Sequence, residues 1–337
     1  MAHRLSRILL WTLIAPRLAL AAPACAACHI EIYEAQLASR HAQTLRPFEG
    51  SRLSLYLAAR PLAEDGGYRF AYSHGVVTAG RGQDETAARL EWAFGGGGLG
   101  FTAVGRFGGQ YFEHRVSYFT MARSPGVTPG QPAGPPSSAA AALGVFKKPP
   151  EAYECFNCHS TGLERDSAGG PDFAAMIPGV HCERCHGPGE SHIAAARGNR
   201  SPAQIRQAIF NAGRASPRVS VPTCGGCHRM PAPGKESPHP ELDNPVSVRF
   251  QPVGLMASQC FRRSGRLSCV TCHDPHRDAV RNDGAFYSAK CLACHAAPAA
   301  TSSACPRERQ RDCLPCHMRR AALAPYLVFT DHRIRVY

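Results

Sequence analysis

Apolar and polar positions follow different rules in different parts of the chain. Ile8 to Ala15 is an apolar run preceded by Arg4 and Arg7 and followed by the small-residue sequence Ala19-Leu20-Ala21. This is the pattern of a cleaved secretory leader over residues 1–21. Further on, Ile32, Tyr33 and Leu37 fall on one helical stripe and predict a helix. Residues 68–77, 99–107 and 110–119 alternate instead, with Gly-rich turns between them, and predict strands within a β-rich stretch over 51–122. Gly95 to Gly100 matches G-x-G-x-x-G, but strand-like patterns flank it and no helix follows, so it reads as a turn and not a dinucleotide site. Residues 123–142 are rich in Pro, Gly, Ser and Ala and read as a loop or linker. From 150 onward the pattern predicts short helices and loops. The expected organisation is a leader over 1–21, a helix plus β-rich segment over 22–122, a linker over 123–149, and a C-terminal unit over 150–337.

Composition narrows the architecture. Gly (32) and Pro (28) are abundant among 337 residues and only 8% are aromatic. That excludes a compact helix bundle or a doubly wound sheet, and implies that something besides side chains fills the interior. The length allows about two domains. An anchor needs about 20 uninterrupted apolar residues, and Pro16 and Arg17 break the N-terminal run. Pro23 and Ala24 fit poorly before a lipid-modified Cys25. The expectation is an exported protein, periplasmic or secreted, with no transmembrane span. The net charge of +13 becomes +10 once Arg4, Arg7 and Arg17 leave (13 − 3).

The cysteines supply the chemistry. Fourteen of the 16 fall in seven C-x-x-C pairs, each followed at once by histidine. The motifs, numbered in chain order, are Cys25/Cys28/His29, Cys155/Cys158/His159, Cys182/Cys185/His186, Cys224/Cys227/His228, Cys269/Cys272/His273, Cys291/Cys294/His295 and Cys313/Cys316/His317. C-x-x-C-H attaches c-type haem. Two thiols three positions apart on one turn form thioethers to the two vinyl groups of one porphyrin, and the adjacent histidine reaches the iron. Zinc sites combine two pairs and need no histidine after each. A redox dithiol does not recur seven times. With histidine at about 5% of residues, seven chance placements have odds of about one in 10⁹. The sequence therefore implies seven covalently attached haem c groups, with iron. The remaining Cys260 and Cys305 are an even pair in an exported chain, and a disulfide between them is expected.

A six-coordinate iron needs a second ligand. Outside the motifs and the leader lie His41, His74, His114, His181, His192, His239, His276 and His332, eight candidates for seven irons. His41, His181, His192, His276 and His332 are the favoured ligands, and each is expected to serve a haem other than the one nearest in sequence. His276 and His192 follow motif histidines by three and six residues and cannot reach the far face of the same haem. Were residues 29–45 helical, His41 would lie about 18 Å along the axis from His29. Methionine is the alternative ligand, from Met121, Met176, Met230, Met256 or Met318.

Five segments resemble multihaem c-type cytochromes of the cytochrome c-552/c-554 type: SRHA (39–42), VHCERCHGPG (180–189), RFQP (249–252), CVTCHDPH (269–276) and FTDHRI (329–334). The resemblance implies a multihaem cytochrome c fold, mainly short α-helices and loops packed around stacked haems, joined here to a β-strand-rich N-terminal segment. It implies distal ligation by His41, His192 and His276. Seven motifs depart from the tetrahaem members of that group. The expected function is electron transfer to and from redox partner proteins, such as a quinol-oxidising complex or another multihaem cytochrome. The alternative is a reductase or oxidase of a small nitrogen or sulfur compound with one open haem; a docked or filamentous subunit is compatible with the carrier. All seven motifs end in histidine, so the lysine-ended motif of nitrite enzymes is absent. Each ferric bis-histidine haem carries about −1, which offsets most of the +10 and removes the case for nucleic acid. Arg307, Arg309, Arg311, Arg319 and Arg320 suit propionates.

Overall fold

The computed structural model describes residues 24–59, 64–230, 248–295, 312–324 and 326–337. The expected leader, His239, Cys305, Arg307, Arg309 and Arg311 lie outside the described residues, and with Cys305 goes the expected disulfide.

Motif 1 forms a turn ahead of α1 (Ile30–Ala38), after which β1 (Leu45–Pro47) and α2 (Arg52–Ala59) lead into the sheet. The first helix therefore stops well short of residue 45, and His41 sits in the turn that follows it. The sheet comprises β2 (Arg69–Ser73), β3 (Val76–Arg81), β4 (Asp84–Phe94), β5 (Gly100–Phe107), β6 (Gln110–Phe119), β7 (Ser124–Val127) and, after α3 (Ala139–Leu143), β8 (Gly144–Lys147). It is antiparallel in the order β2-β3-β4-β5-β6-β7, with β1 paired to the end of β4 and β8 paired to the start of β6. Residues 95–99 are the turn from β4 to β5, with Gly95 and Gly97 at φ of 107° and 77°.

Both faces of the sheet are covered, so β6 is buried at nearly every position. On one face Leu90, Ala103, Phe112, Val116 and Tyr118 pack against Leu53 and Leu57 of α2 and Ala139, Ala142 and Leu143 of α3. On the other, Trp92, Phe94, Val104 and Tyr111 pack with Ala152 and Phe156 of α4 (Pro149–His159). A β-bulge between Leu90 and Trp92 makes this division. Without it, the period of two would place Leu90, Trp92 and Phe94 on one face. The extra residue turns Trp92 and Phe94 toward the helix that carries motif 2.

The region expected as a linker over 123–149 is part of this sheet. Its β7 and β8 are edge strands, where Pro125, Gly126 and Gly144 cost no ladder hydrogen bond.

Beyond α4 the elements are short. Two small hairpin-like pairs are built from β9 (Ser160–Thr161) with β12 (Ile177–Pro178) and from β10 (Glu164–Arg165) with β11 (Pro171–Asp172). Then follow α5 (Cys182–His186), α6 (Glu190–Arg197), α7 (Pro202–Gln207), α8 (Pro217–His228), α9 (Gln251–Ala257), α10 (Gln259–Ser264), α11 (Cys269–Cys272), α12 (Gly284–His295) and α13 (Leu314–His317). The hairpin of β13 (Arg320–Ala324) and β14 (Leu327–Thr330) closes the chain. Among the described residues, no helix is long and apolar enough to cross a membrane.

Candidate haem-attachment site

Each motif coincides with a helical turn. It is the last turn of α4, α8 and α12, and it makes up α5, α11 and α13 nearly whole. The backbone amides of His29, His273 and His317 donate to the carbonyls of Cys25, Cys269 and Cys313 at 2.9, 3.0 and 3.1 Å. In such a turn the two cysteines share a face at positions i and i+3, and the histidine follows at i+4. Local caps fix where the turns end. Pro149 and Pro150 open α4, and the Lys148 amide donates to Glu151 Oε2 at 2.9 Å. Ser160 closes α4 by donating its hydroxyl to the Phe156 carbonyl at 2.7 Å. Among the described residues, no three His, Cys, Asp or Glu side chains converge to hold a metal ion by themselves.

The thiols are not equally enclosed. Cys28, Cys294 and Cys316, each the second cysteine of its motif and each expected to attach a porphyrin, are exposed. The cause is local. Motif 1 is a turn ahead of α1, motif 6 ends α12, where Ser288 alone is buried, and motif 7 is the one-turn α13, where nothing is buried. At these three places the described residues supply the turn but leave the i+3 position exposed. Only the backbone geometry and the motif spacing mark Cys28, Cys294 and Cys316 as attachment thiols. Cys185 is exposed too, although the adjacent Arg184 reaches Cys227 Sγ of motif 4 at 3.8 Å. Motif 2 is the opposite case. Cys155 packs against the sheet cluster, and burial pushes its thiol pKa up.

The histidines meet in pairs. The rings of His29 and His192 have centroids 6.2 Å apart, His41 and His228 6.1 Å, His186 and His276 6.1 Å, and His273 and His332 6.3 Å. Every pair joins one motif histidine to one histidine outside the motifs. With a metal–nitrogen bond of about 2.0–2.1 Å and about 1.1 Å from nitrogen to ring centre, two imidazoles on opposite sides of one ion have centroids about 6.2–6.4 Å apart. The donor set and its spacing thus fit an iron with two axial histidines.

The Nδ1 atoms support the same fit. Those of His41, His186, His192 and His332 lie 3.2, 2.8, 2.9 and 3.0 Å from the carbonyls of Pro275, Phe210, Ile205 and Thr330. His276 Nδ1 lies 3.1 Å from Asp274 Oδ1, and His159 Nδ1 lies 2.7 Å from Thr44 Oγ1. An Nδ1–H held by an acceptor fixes the tautomer and leaves Nε2 free as a donor to metal. Burial favours the neutral ring. It depresses the pKa of His159, His228 and His273, and takes His332 down to about 4.

The other histidines differ. His114 is fully buried in β6, with Nδ1 2.7 Å from the Leu143 carbonyl and Nε2 2.9 Å from the Tyr72 hydroxyl. Both ring nitrogens are used within the sheet core. His74 is exposed in the β2–β3 turn at φ 47°. His181, favoured as a ligand from the sequence, precedes α5 with Nε2 3.0 Å from the Pro178 carbonyl, and its ring stacks on no motif histidine among the described residues. Nor do His159, His295 and His317 stack on a second histidine there. Phe94 packs edge-on against His159 at 5.1 Å, so the bulge in β4 reaches the motif-2 histidine directly. Nothing in the sequence marks the acceptors on Nδ1, since most are backbone carbonyls.

Residues 135–187, which contain motifs 2 and 3, match the family model described as cytochrome c554 and c-prime. A solved structure, the outer cell wall cytochrome OcwA, aligns at 19% identity with a TM-score of 0.33, over 60% of this chain and 36% of that one. The chain therefore spans little more than a third of that structure's length. No curated protein matches the chain. Over that stretch the family match supports a c-type cytochrome with covalently attached haem.

Proposed function

We propose that the chain is an exported heptahaem c-type cytochrome that accepts single electrons from one redox protein and passes them to another. Four pairings of a motif histidine with a remote histidine, each at the spacing of two axial ligands, carry the reading. The motif cysteines would hold the porphyrins, and His29, His186, His228 and His273 would ligate their irons. His192, His276, His41 and His332 would complete those four in the same order. Bound haem c supplies a one-electron iron couple whose potential depends on axial ligands and burial. The protein's part is to fix the rings through their Nδ1 partners and to keep them neutral.

One observation favours a second reading in part. Motifs 2, 6 and 7 remain to be completed, and His114 and His74 are placed elsewhere. His181 and His239 are then two histidines for three irons. At least one iron takes a different side chain or an external ligand, which leaves room for a reaction on a small nitrogen or sulfur compound.

The test is a haem count followed by carbon monoxide. Pyridine haemochrome analysis should give seven haems per chain. If the dithionite-reduced protein binds no carbon monoxide, it acts as a carrier alone. Binding at about one haem in seven would mark an open iron, and nitrite, hydroxylamine and sulfur oxyanions would be tried next. A count well below seven in fully matured protein defeats the reading.

A further inference from the structure

The attachment motifs touch one another in a definite order. Motif 1 meets motif 3: His29 stacks on His192 of α6, just beyond motif 3, with ring centroids 6.2 Å apart. Motif 3 meets motif 4 through Arg184, whose guanidinium lies 3.8 Å from Cys227 Sγ. Motif 4 also meets motif 5, since α8 packs on α11. From there α11 packs on α12 and α12 on α13, and the Cys313 amide donates to Ser288 of α12 at 2.8 Å. Motifs 1, 3, 4, 5, 6 and 7 thus form one row.

Motif 2 stands outside the row. Its helix α4 packs on α8, and Cys158 Sγ donates to the Gly226 carbonyl of motif 4 at 3.8 Å. Its other side is closed by the sheet, where Phe156 packs against Trp92, Phe94 and Tyr111. Each motif sulfur would become a thioether at the porphyrin rim, so motif turns that pack on one another bring two rims together. Arg184 sits where motifs 2, 3 and 4 converge, with Nη2 also 3.3 Å from Asn157 Oδ1 of motif 2. Its Nε is buried and has no hydrogen-bond partner within the protein.

We propose that the haems form a branched array: motif 4 is a three-way junction, motif 2 is a side branch that ends under the sheet, and Arg184 holds the junction together. The proposal rests on the heptahaem reading. Such an array has three ends, at motifs 1, 2 and 7. An electron entering at either end of the row can leave by the other end or turn aside at motif 4 to the sheet-covered branch. The guanidinium favours the reduced state of the haems beside it, and so holds charge at the fork.

The experiment is an anomalous-scattering map at the iron edge from crystals of the mature holoprotein. Seven peaks are expected, with the motif-4 haem in edge contact with three others and the motif-2 haem with one. A motif-4 haem with two neighbours, or a motif-2 haem that also touches motif 5, overturns the branch. Fewer than seven peaks would instead count against the heptahaem reading. Arg184→Gln should keep all seven haems while lowering the reduction potential of one to three of them. An unshifted titration removes Arg184 from the junction.

Discussion

The two halves of the molecule are built on different interiors. Between Leu45 and Phe156, sheet and helices bury a dense set that includes Phe48, Leu57, Tyr68, Phe70, Phe112 and Leu143. After residue 160 the buried apolar side chains among the described residues are Val180, Val221, Val248, Val253 and Leu255. The first half can offset its ordering entropy with its own side chains, and the second cannot. The apolar faces of covalently bound porphyrins are what the second half lacks. The contrast reaches the motifs themselves: Cys155 packs against the sheet, while Cys294 and Cys316 stand exposed at the ends of α12 and α13.

The largest way to break this contrast is to withhold haem. In cells without haem-attachment machinery, the sheet should form and the motif-bearing half should not. Limited proteolysis should then leave a protected fragment covering β1 to β8, with β-sheet ellipticity retained. Uniform digestion of the whole chain would show that the sheet also depends on haem. A smaller effect isolates the sheet core: Phe112→Ala should cost about 3–5 kcal/mol of stability. It should leave the haem absorbance unchanged, and a loss of haem would mean that the halves fold as one.

The smallest effect concerns pH. Burial lowers the pKa of His114 from the ordinary 6.5 to about 4. The unfolded chain takes up a proton as pH falls below 6.5, whereas the folded chain resists until about 4. This contribution is therefore fully present above pH 6.5 and declines toward pH 4, by roughly 3 kcal/mol at most. Denaturation followed by sheet ellipticity at pH 7.5, 5.5 and 4.5 should show that slope, and His114→Gln should flatten it. Equal slopes in the two proteins would remove His114 as the cause.

What could be read from the sequence was local. The motifs are legible because thioether attachment needs a fixed spacing within one turn. How far the chain encloses each thiol is not legible, because that depends on which elements pack around the turn. Strands β5 and β6 are legible because each keeps one alternation along its length. Strand β4 is not, because its bulge inverts the alternation at Leu90–Trp92 and its inward positions include the small Ala88 and Ala93. Strands β7 and β8 carry the Pro and Gly of a loop, which only an edge position tolerates. The partner of each motif histidine was beyond reach, since ring pairs form between segments far apart in sequence. His276 is a favoured ligand in the sequence and His114 a lesser candidate, and the Tyr72 and Leu143 contacts then place His114 within the sheet core.

Those ring pairs have a consequence for how such a protein is made. His29 and His192 lie 163 positions apart, His41 and His228 187, His186 and His276 90, and His273 and His332 59. If each pair grips one iron, every such closure spans a long loop, and none of these four motifs can complete its coordination until a distant stretch of chain has been made. Motif 1 comes first in the chain, yet it waits for residue 192. Motif 5 waits for His332, which lies 15 positions beyond His317 of the last motif, so a nonsense codon between the two would spare every attachment site and still leave an iron half-dressed.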